Sequence, residues 1–207
     1  AQTLAQPGDT VLVEQPTYIG FLHQLRSYGL NPIAVPMDDE GVRPDALERL
    51  ALQTRARFLY TIATYHNPTG RCASVERRRQ LLEIAQRCGF KIVEDDIYAA
   101  LALDAPAPPA IKSFDRNGTV VYLSSLSKSF MPGLRIGFLV APQPQLERLT
   151  SLRMATDLVS PLLLQRIAAE LLTSGCLRRH LRRVNPIYRS RRDALLASLA
   201  FHLPKEV

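Results

Sequence analysis

The residues best suited to chemistry lie in one stretch, positions 124–137, which reads SSLSKSFMPGLRIG. Its single lysine, Lys128, stands among serine hydroxyls, and Arg135 follows seven positions later. A lysine amine can condense with an aldehyde, while hydroxyls and the forked guanidinium of arginine can hold a phosphate. Lys128, with Ser125, Ser127 and Arg135, therefore indicates a binding site for an aldehyde that carries a phosphate. The simpler alternative is a solvated lysine in a polar surface loop.

Predicted strands and helices surround this stretch and must position it. Apolar and β-branched runs predict strands at 10–14, 31–35, 58–62, 91–94, 119–123 and 136–141. Helical spacing, with caps such as Ser74 and Gly89, predicts helices at 17–28, 43–52, 74–88, 145–154, 162–173 and 177–199. The alternation predicts an α/β fold with three layers, α/β/α, around a mostly parallel sheet. The lysine then lies in a loop between the last two strands.

Polar groups follow four of these predicted strands, at the end where an open α/β sheet binds its ligands. Tyr18 follows the first strand, Asn67 follows the third, and Asp95 and Tyr98 follow the fourth. The lysine loop follows the fifth. Because the carboxyl ends of parallel strands meet at one edge of the sheet, these groups are expected on a common rim. That coincidence favours a ligand site at Lys128 over a solvated surface lysine.

Three short motifs, in this order, resemble those of the class I/II aminotransferases: NPTG at 67–70, DxxY at 95–98, and SxSK with PGLRxG at 125–137. The resemblance extends from about residue 7 to about residue 142 and is weaker in the helices up to about residue 204. These enzymes have fold type I and depend on pyridoxal 5′-phosphate. The resemblance therefore implies the cofactor-binding large domain of such a protein.

The resemblance assigns catalytic roles to Lys128, Asp95 and Tyr98. Lys128 would bind the cofactor aldehyde and move the proton between substrate and cofactor. Asp95 would pair with the pyridine nitrogen, which keeps the ring able to accept electrons. Asn67 and Tyr98 would donate hydrogen bonds to the ring's phenolic oxygen. The choice of Asp95 over Asp96 depends on its offset of three from Tyr98.

The resemblance also implies that the phosphate is held by Ser125, Ser127 and Arg135. Tyr18 would lie over the ring face, where an aromatic side chain adds stacking. The alternative for Tyr18 is a residue packed in a helix. For His66, a structural role in the loop is preferred over a role as catalytic base. The acidic run at 94–96 has an alternative as a metal site. It lacks metal-ligand spacing, so no metal is expected.

Length and composition exclude several other classes of protein. The 207 residues suffice for one large domain, or for one domain with part of another, and the hydrophobic content of 46% is ordinary. No run approaches the roughly 20 apolar residues of a membrane span, and no signal peptide is recognisable. Three cysteines without metal-ligand spacing indicate reduced thiols, so the cytoplasm is the expected compartment.

The net charge of +7 is concentrated in one segment. Residues 177–192 hold seven arginines and no acidic residue, and the rest of the chain is balanced. A basic helical face can bind nucleic acid, but a solvated face, or one that docks on another part of the protein, is preferred here. Because the segment follows the last strand, it is expected to lie away from the rim that carries Lys128.

The predicted organisation is a large cofactor-binding domain at 1–165 and a helical connection at 166–207 toward a C-terminal small domain. The chain begins without methionine, and residues 203–207 read as the start of a new segment, so a fragment of a longer protein is expected. The resemblance implies two parts that this sequence lacks, a Gly/Ser-rich phosphate loop and an arginine for the substrate carboxylate. The fragment alone is therefore expected to be inactive.

The favoured function is a pyridoxal phosphate-dependent transaminase that moves an amino group between an amino acid and a 2-oxo acid, as a homodimer. The resemblance is greatest to the branch that acts on aromatic amino acids and 2-aminoadipate. The alternative is the effector domain of a MocR-type regulator of the GntR family, which would bind DNA only through a helix-turn-helix domain upstream. A third alternative, a fold type I decarboxylase or lyase, is disfavoured by the NPTG turn.

Overall fold

The computed structural model describes residues 1–159 and 161–203. Its strands are β1 Thr10–Gln15, β2 Asn31–Asp38, β3 Gly41–Val42, β4 Phe58–Thr61, β5 Lys91–Asp95, β6 Val120–Ser125 and β7 Gly137–Val140. Within the described residues they form one sheet in the order β3-β2-β1-β4-β5-β6-β7. The five central strands are parallel, and the two edge strands, β3 and β7, are antiparallel to their neighbours.

Helices and two 3₁₀ turns lie between these strands, and the last three helices follow β7. The helices are α1 Ile19–Ser27, α2 Pro44–Thr54, α3 Val75–Cys88, α4 Ile111–Phe114, α5 Leu126–Ser129, α6 Gln143–Thr156, α7 Leu162–Thr173 and α8 Cys176–His202. The 3₁₀ turns are Ala99–Leu101 and Pro132–Leu134. No helix in the described ranges is both long and apolar enough to cross a membrane.

The bounds of α3 show how local sequence sets an element. The Ser74 side chain accepts a hydrogen bond of 3.2 Å from the backbone N–H of Arg77, which satisfies one free donor of the first turn. Gly89 ends the helix with a φ of 75°, a left-handed conformation that glycine adopts without steric cost. Both ends were therefore predictable from sequence.

The core lies on both faces of the sheet. On one face, Leu12, Leu59 and Ile92 sit side by side in neighbouring strands and pack against α2, α3 and α4. On the other face, Phe58 and Val93 pack against α1 and the N-terminal residues. Burial on both faces makes three layers, α/β/α, as predicted.

The predicted strands and the mostly parallel sheet are confirmed. The short elements β3, α4 and α5 were not predicted, because two to four residues give no readable periodicity. Helix α8 passes through Pro186 and reaches His202. Of the new segment predicted at residues 203–207, Leu203 is the C-cap of α8, and residues 204–207 lie outside the described residues.

Candidate active site

The segment that carries the lysine turns from β6 into β7 through α5 and the 3₁₀ turn Pro132–Leu134. Lys128 lies between the last two strands as predicted, on a four-residue helix, α5, that was not predicted. The Ser125 side chain caps this helix, since its Oγ accepts a hydrogen bond of 3.0 Å from the backbone N–H of Ser127. The cap fixes the direction in which α5 leaves the sheet.

The amine of Lys128 has no partner among the described residues. Lys91 donates a hydrogen bond of 2.9 Å to the carbonyl of Gly118, and Lys112 forms an ion pair of 2.9 Å with Asp115. Lys128 is exposed and forms neither a hydrogen bond nor an ion pair within the described ranges. Of the described lysines it is therefore the one whose Nζ is free to react.

The lysine segment packs against an apolar cluster that includes residues of α7. Leu126 of α5 and Leu134 of the 3₁₀ turn are buried against Ala168 of α7. The ring of Phe130 packs edge-on against His180 of α8, with ring centroids 5.0 Å apart. Helices α7 and α8 therefore fix the position of α5 relative to the sheet.

This packing corrects the expectation for the basic segment 177–192. The start of α8 does not lie away from the lysine. Arg179 and Arg183 line an open cleft together with Phe130 and Met131, only a few residues beyond Lys128. The basic face thus begins beside the lysine segment, because His180 and the partly buried Leu177 of α8 pack against that segment and its apolar cluster.

Asp95 ends β5 with one carboxylate oxygen bonded and the other free. Its Oδ2 accepts a hydrogen bond of 2.7 Å from the hydroxyl of Tyr60 on the neighbouring strand β4. Its Oδ1 is buried and has no hydrogen-bond partner among the described residues. Burial raises the pKa of Asp95 above the usual range, and the Tyr60 hydroxyl opposes that rise. An unpaired buried oxygen is costly, so it marks a place where a donor is expected to bind.

The two flanking acidic residues have other partners. Asp96 accepts a hydrogen bond of 3.0 Å from the Tyr122 hydroxyl, and its Oδ1 is also buried without a partner. Glu94 accepts hydrogen bonds of 2.7 and 2.9 Å from the backbone of Ile111 and Lys112 at the start of α4. Burial raises the pKa of Glu94 to about 7. Within the described ranges, no three potential metal ligands come together.

Asn67 and Tyr98 meet although they follow different strands. The Asn67 amide nitrogen lies 3.5 Å from the Tyr98 hydroxyl, and both side chains are half-buried. Two donors at this separation can address the same oxygen atom. Tyr98 packs in the same cluster as Tyr60, the partner of Asp95, which supports the sequence register that joins Asp95 to Tyr98.

The predicted phosphate ligands lie together at the ends of the lysine segment. The hydroxyls of Ser125 and Ser127 are 3.0 Å apart, and Ser125 Oγ is also 3.0 Å from the carbonyl of Ile136. The exposed Arg135 guanidinium makes one long contact, 3.4 Å, to the carbonyl of Pro132. Ser125 is already engaged as a helix cap, whereas Ser127 and Arg135 have donors to spare.

The helix predicted at 17–28 would contain Tyr18. In the structure Tyr18 instead immediately precedes α1. Its side chain is 42% exposed. The ring lies against Gly20, where an added Cβ would come within 2.5 Å of the ring atoms. The glycine leaves room for this position of the ring, which is therefore not the conformation of a packed helix residue.

A sequence profile described as aminotransferase class I and II matches residues 1–203. The chain belongs to the aminotransferase class I and II family. Its sequence is 42% identical over 204 residues to the HTH-type transcriptional regulator YdfD of Bacillus subtilis, covering 99% of this chain and 42% of that protein. It is 37% identical to the 2-aminoadipate transaminase of Thermus thermophilus, covering 97% of this chain and 51% of that protein.

A solved aminotransferase shows the same fold. The crystal structure of LysN, the α-aminoadipate aminotransferase of Thermus thermophilus complexed with N-(5′-phosphopyridoxyl)-L-leucine, superposes with a TM-score of 0.91 at 35% identity. The match covers 99% of this chain and 53% of that chain. The chain thus spans about half the length of the relatives it matches.

Sequence reasoning missed several buried polar residues of this aminotransferase fold. Tyr60 was read as part of an apolar strand, yet its hydroxyl supports Asp95. Arg78 is fully buried and donates to the carbonyls of Ala73 and Ala63. The local sequence does not signal the Tyr60–Asp95 and Arg78–Ala63 contacts, because they join residues 35 and 15 positions apart.

Proposed function

We propose that this chain binds pyridoxal 5′-phosphate and is the cofactor-binding part of a transaminase. One observation carries the proposal. The free amine of Lys128 follows β6, and the unpaired buried oxygen of Asp95 ends β5, the adjacent parallel strand. An amine and a buried acceptor suit the aldehyde and the ring nitrogen of that cofactor. The phosphopyridoxyl ligand of LysN supports the assignment.

The proposed roles follow from the atoms left free. When bound, the cofactor supplies an aldehyde that takes up amino groups and a ring that accepts electrons. Lys128 Nζ would bond to the aldehyde carbon as the aldehyde oxygen leaves as water. Once the substrate amine replaced it there, the freed Nζ would carry a proton to and from the substrate. Asp95 Oδ1 would accept a hydrogen bond from the ring nitrogen. Asn67 and Tyr98 would donate to the phenolic oxygen.

The remaining contacts would hold the cofactor in place. Ser127 and Arg135 would donate to the phosphate, and Ser125 would do so if its hydroxyl turns from Ile136. Tyr18 would lie over the ring face, because it stands at the end of β1 on the same rim. No metal is part of the proposal.

The proposed assembly contains more than this chain. A cofactor domain at 1–165 would continue through 166–207 into a C-terminal small domain, and two such subunits would form a cytoplasmic homodimer. Apolar side chains of α7 and α8 are exposed in this chain, with Leu162 and Phe201 79% and 83% exposed. Such exposure supports the proposal that the small domain or the second subunit covers these helices. The substrates would be an amino acid and a 2-oxo acid, as for the 2-aminoadipate transaminase relative.

A turnover assay tests the transaminase. The proposed longer protein, which contains this chain and a C-terminal small domain, is saturated with pyridoxal 5′-phosphate. It is given 2-oxoglutarate with 2-aminoadipate or an aromatic amino acid. Transfer of the amino group at roughly 1 per second or faster, a usual enzyme rate, is expected. Lys128→Ala should abolish it. Residues 1–207 expressed alone should also be inactive, because none of the described residues is assigned to orient the substrate carboxylate.

The second candidate is the effector domain of a MocR-type regulator. The 42% identity to YdfD, higher than that to the transaminase, favours it. In that case the cofactor would bind at Lys128 and amino acids would react with it, but no turnover with a 2-oxo acid would follow. A protein that binds cofactor and DNA and shows no amino transfer would establish the regulator.

A further inference from the structure

Two buried side chains that the proposed roles do not use lie beneath the Asn67 turn. Glu14 is near the end of β1, and His66 directly precedes Asn67 after β4. Their side chains are 2% and 1% exposed, and His66 Nε2 lies 3.0 Å from Glu14 Oε2. A charged group and a titratable ring therefore meet at the carboxyl ends of two adjacent strands.

The Glu14 carboxylate is fully engaged. Its Oε1 accepts a hydrogen bond of 2.7 Å from the Thr61 hydroxyl, and its Oε2 accepts one of 2.9 Å from the backbone N–H of Ile62. These donors compensate a buried charge, and they fix the carboxylate in one orientation. The third neighbour of the carboxylate is the ring of His66.

His66 anchors the turn that contains Asn67. Its Nδ1 accepts from the backbone N–H of Thr69 at 3.4 Å and lies 2.9 Å from the Thr69 hydroxyl. Its backbone bonds to Gly70 and Arg71, at 2.6 and 2.8 Å. Because Nδ1 accepts, the ring proton belongs on Nε2, which faces Glu14. That N–H is poorly aligned with Oε2, so the contact is a close charge–dipole contact and not a straight hydrogen bond.

Stability alone is a weak explanation for this pair. Even a full buried ion pair can often be replaced with apolar residues of similar volume without loss of stability, and here only Glu14 carries a charge. The pair joins two strand ends that lie far apart in sequence, and the residue after His66 is Asn67. Asn67 in turn lies 3.5 Å from the Tyr98 hydroxyl.

We propose that Glu14 and His66 are a positioning pair. Glu14 holds the His66 ring in the tautomer that accepts from Thr69, and the fixed turn keeps the Asn67 amide beside the Tyr98 hydroxyl. The pair thereby sets the hydrogen bond to the phenolic oxygen of the cofactor, so this inference depends on the proposed function.

The test is a pH titration of the visible absorbance of the bound cofactor in the whole protein. Loss of a donor to the phenolic oxygen should raise the apparent pKa of that absorbance, by about one unit for Asn67→Ala. Glu14→Gln keeps the shape of the side chain but removes its charge, and His66→Gln removes the Nδ1 acceptor. Each should raise the same apparent pKa by part of the Asn67→Ala shift.

Coupling separates positioning from general destabilisation. The double variant Glu14→Gln/Asn67→Ala should shift no further than Asn67→Ala alone, since both changes act on one hydrogen bond. Leu81→Ala, a core change on α3 away from the rim, should lower the melting temperature without moving the titration. If Glu14→Gln does not fold, the same comparison is made between Asn67→Ala and the double variant His66→Gln/Asn67→Ala.

The outcomes are distinct for the two proposals. A partial, non-additive shift supports the positioning pair. A bound cofactor whose titration is unchanged in Glu14→Gln and His66→Gln, or whose shifts add to that of Asn67→Ala, overturns the pair alone. A wild-type protein that shows no bound cofactor absorbance overturns the proposed function and the pair together.

Discussion

The hydroxyl of Tyr60 donates a hydrogen bond of 2.7 Å to Oδ2 of Asp95, across two adjacent parallel strands. The bond holds one oxygen of the carboxylate, whereas Oδ1 is buried and has no hydrogen-bond partner in the part of the chain that the structure describes. Burial raises the pKa of Asp95, and the bond limits that rise. The Tyr60 hydrogen bond therefore decides which oxygen of Asp95 accepts a further donor. It also lowers the pH at which the Asp95 carboxylate becomes protonated.

Cofactor affinity should depend on the ionisation of Asp95. A protonated carboxyl cannot pair with a protonated ring nitrogen, so affinity should fall as the pH decreases through the pKa of Asp95. Because burial raises the pKa of Asp95, the loss of affinity should begin at a higher pH than the ordinary aspartate value of about 3.9 would give. Dissociation constants for pyridoxal 5′-phosphate, measured from pH 8 to pH 5, test this. An Asp95→Asn variant should be nearly flat over the same range.

Tyr60→Phe should move this pH dependence to higher pH. The change removes a donor that favours the ionised carboxylate, and a hydrogen bond to a charged group contributes about 1.5–3 kcal/mol. The midpoint should therefore rise by about one to two pH units. Tyr122→Phe is the matched control, because Tyr122 donates to Asp96 instead. Equal shifts in the two variants would contradict the assignment of Asp95 to the ring nitrogen.

Asp95→Ala should lose most activity while retaining much of its cofactor binding. The phosphate contacts and Lys128 remain, but the ring nitrogen loses its charged partner. Removing one preorganised electrostatic group commonly costs about 10²–10³ in rate. Asp96→Ala should retain more activity, because the proposal gives Asp96 no contact with the cofactor. Single-turnover rates with a fixed amino donor measure both variants, and a larger loss in Asp96→Ala would show that the register of this motif is wrong.

Arg135→Lys should weaken cofactor binding through the phosphate. Lysine keeps the charge but lacks the forked donors of arginine. A charge-assisted hydrogen bond is worth about 1.5–3 kcal/mol, which corresponds to roughly ten- to hundredfold in affinity. Arg87→Lys is the control, since Arg87 pairs with Glu48 on the surface and should have no effect. An unchanged dissociation constant in Arg135→Lys would mean that its guanidinium does not reach the phosphate.

Much of the fold could be predicted because its signals are local or topological. Ser74 and Gly89 mark the ends of α3 by capping interactions with backbone groups three and four residues away, on Arg77 and Ala85. The rim could be predicted because parallel strands share one carboxyl edge. The order of Asn67, Asp95 and Lys128 along the chain was then sufficient to bring them to that edge.

The rest depended on contacts between distant residues. Glu14 and His66 meet only because β1 and β4 are neighbours, and neither residue type signals that pairing in its own segment. The short helix that carries Lys128 has no periodicity to detect. The basic segment was placed away from the site because the packing of His180 on Phe130 cannot be read from charge alone.

Reductive trapping tests the central claim most directly. The protein is mixed with pyridoxal 5′-phosphate, treated with borohydride, digested and analysed by mass spectrometry. The account predicts a phosphopyridoxyl group on the peptide that contains Lys128, because the amines of Lys91 and Lys112 are engaged elsewhere. Lys128→Ala should lose the label and the visible absorbance together. Label spread over Lys91 and Lys112, with Lys128→Ala unchanged, would contradict the account.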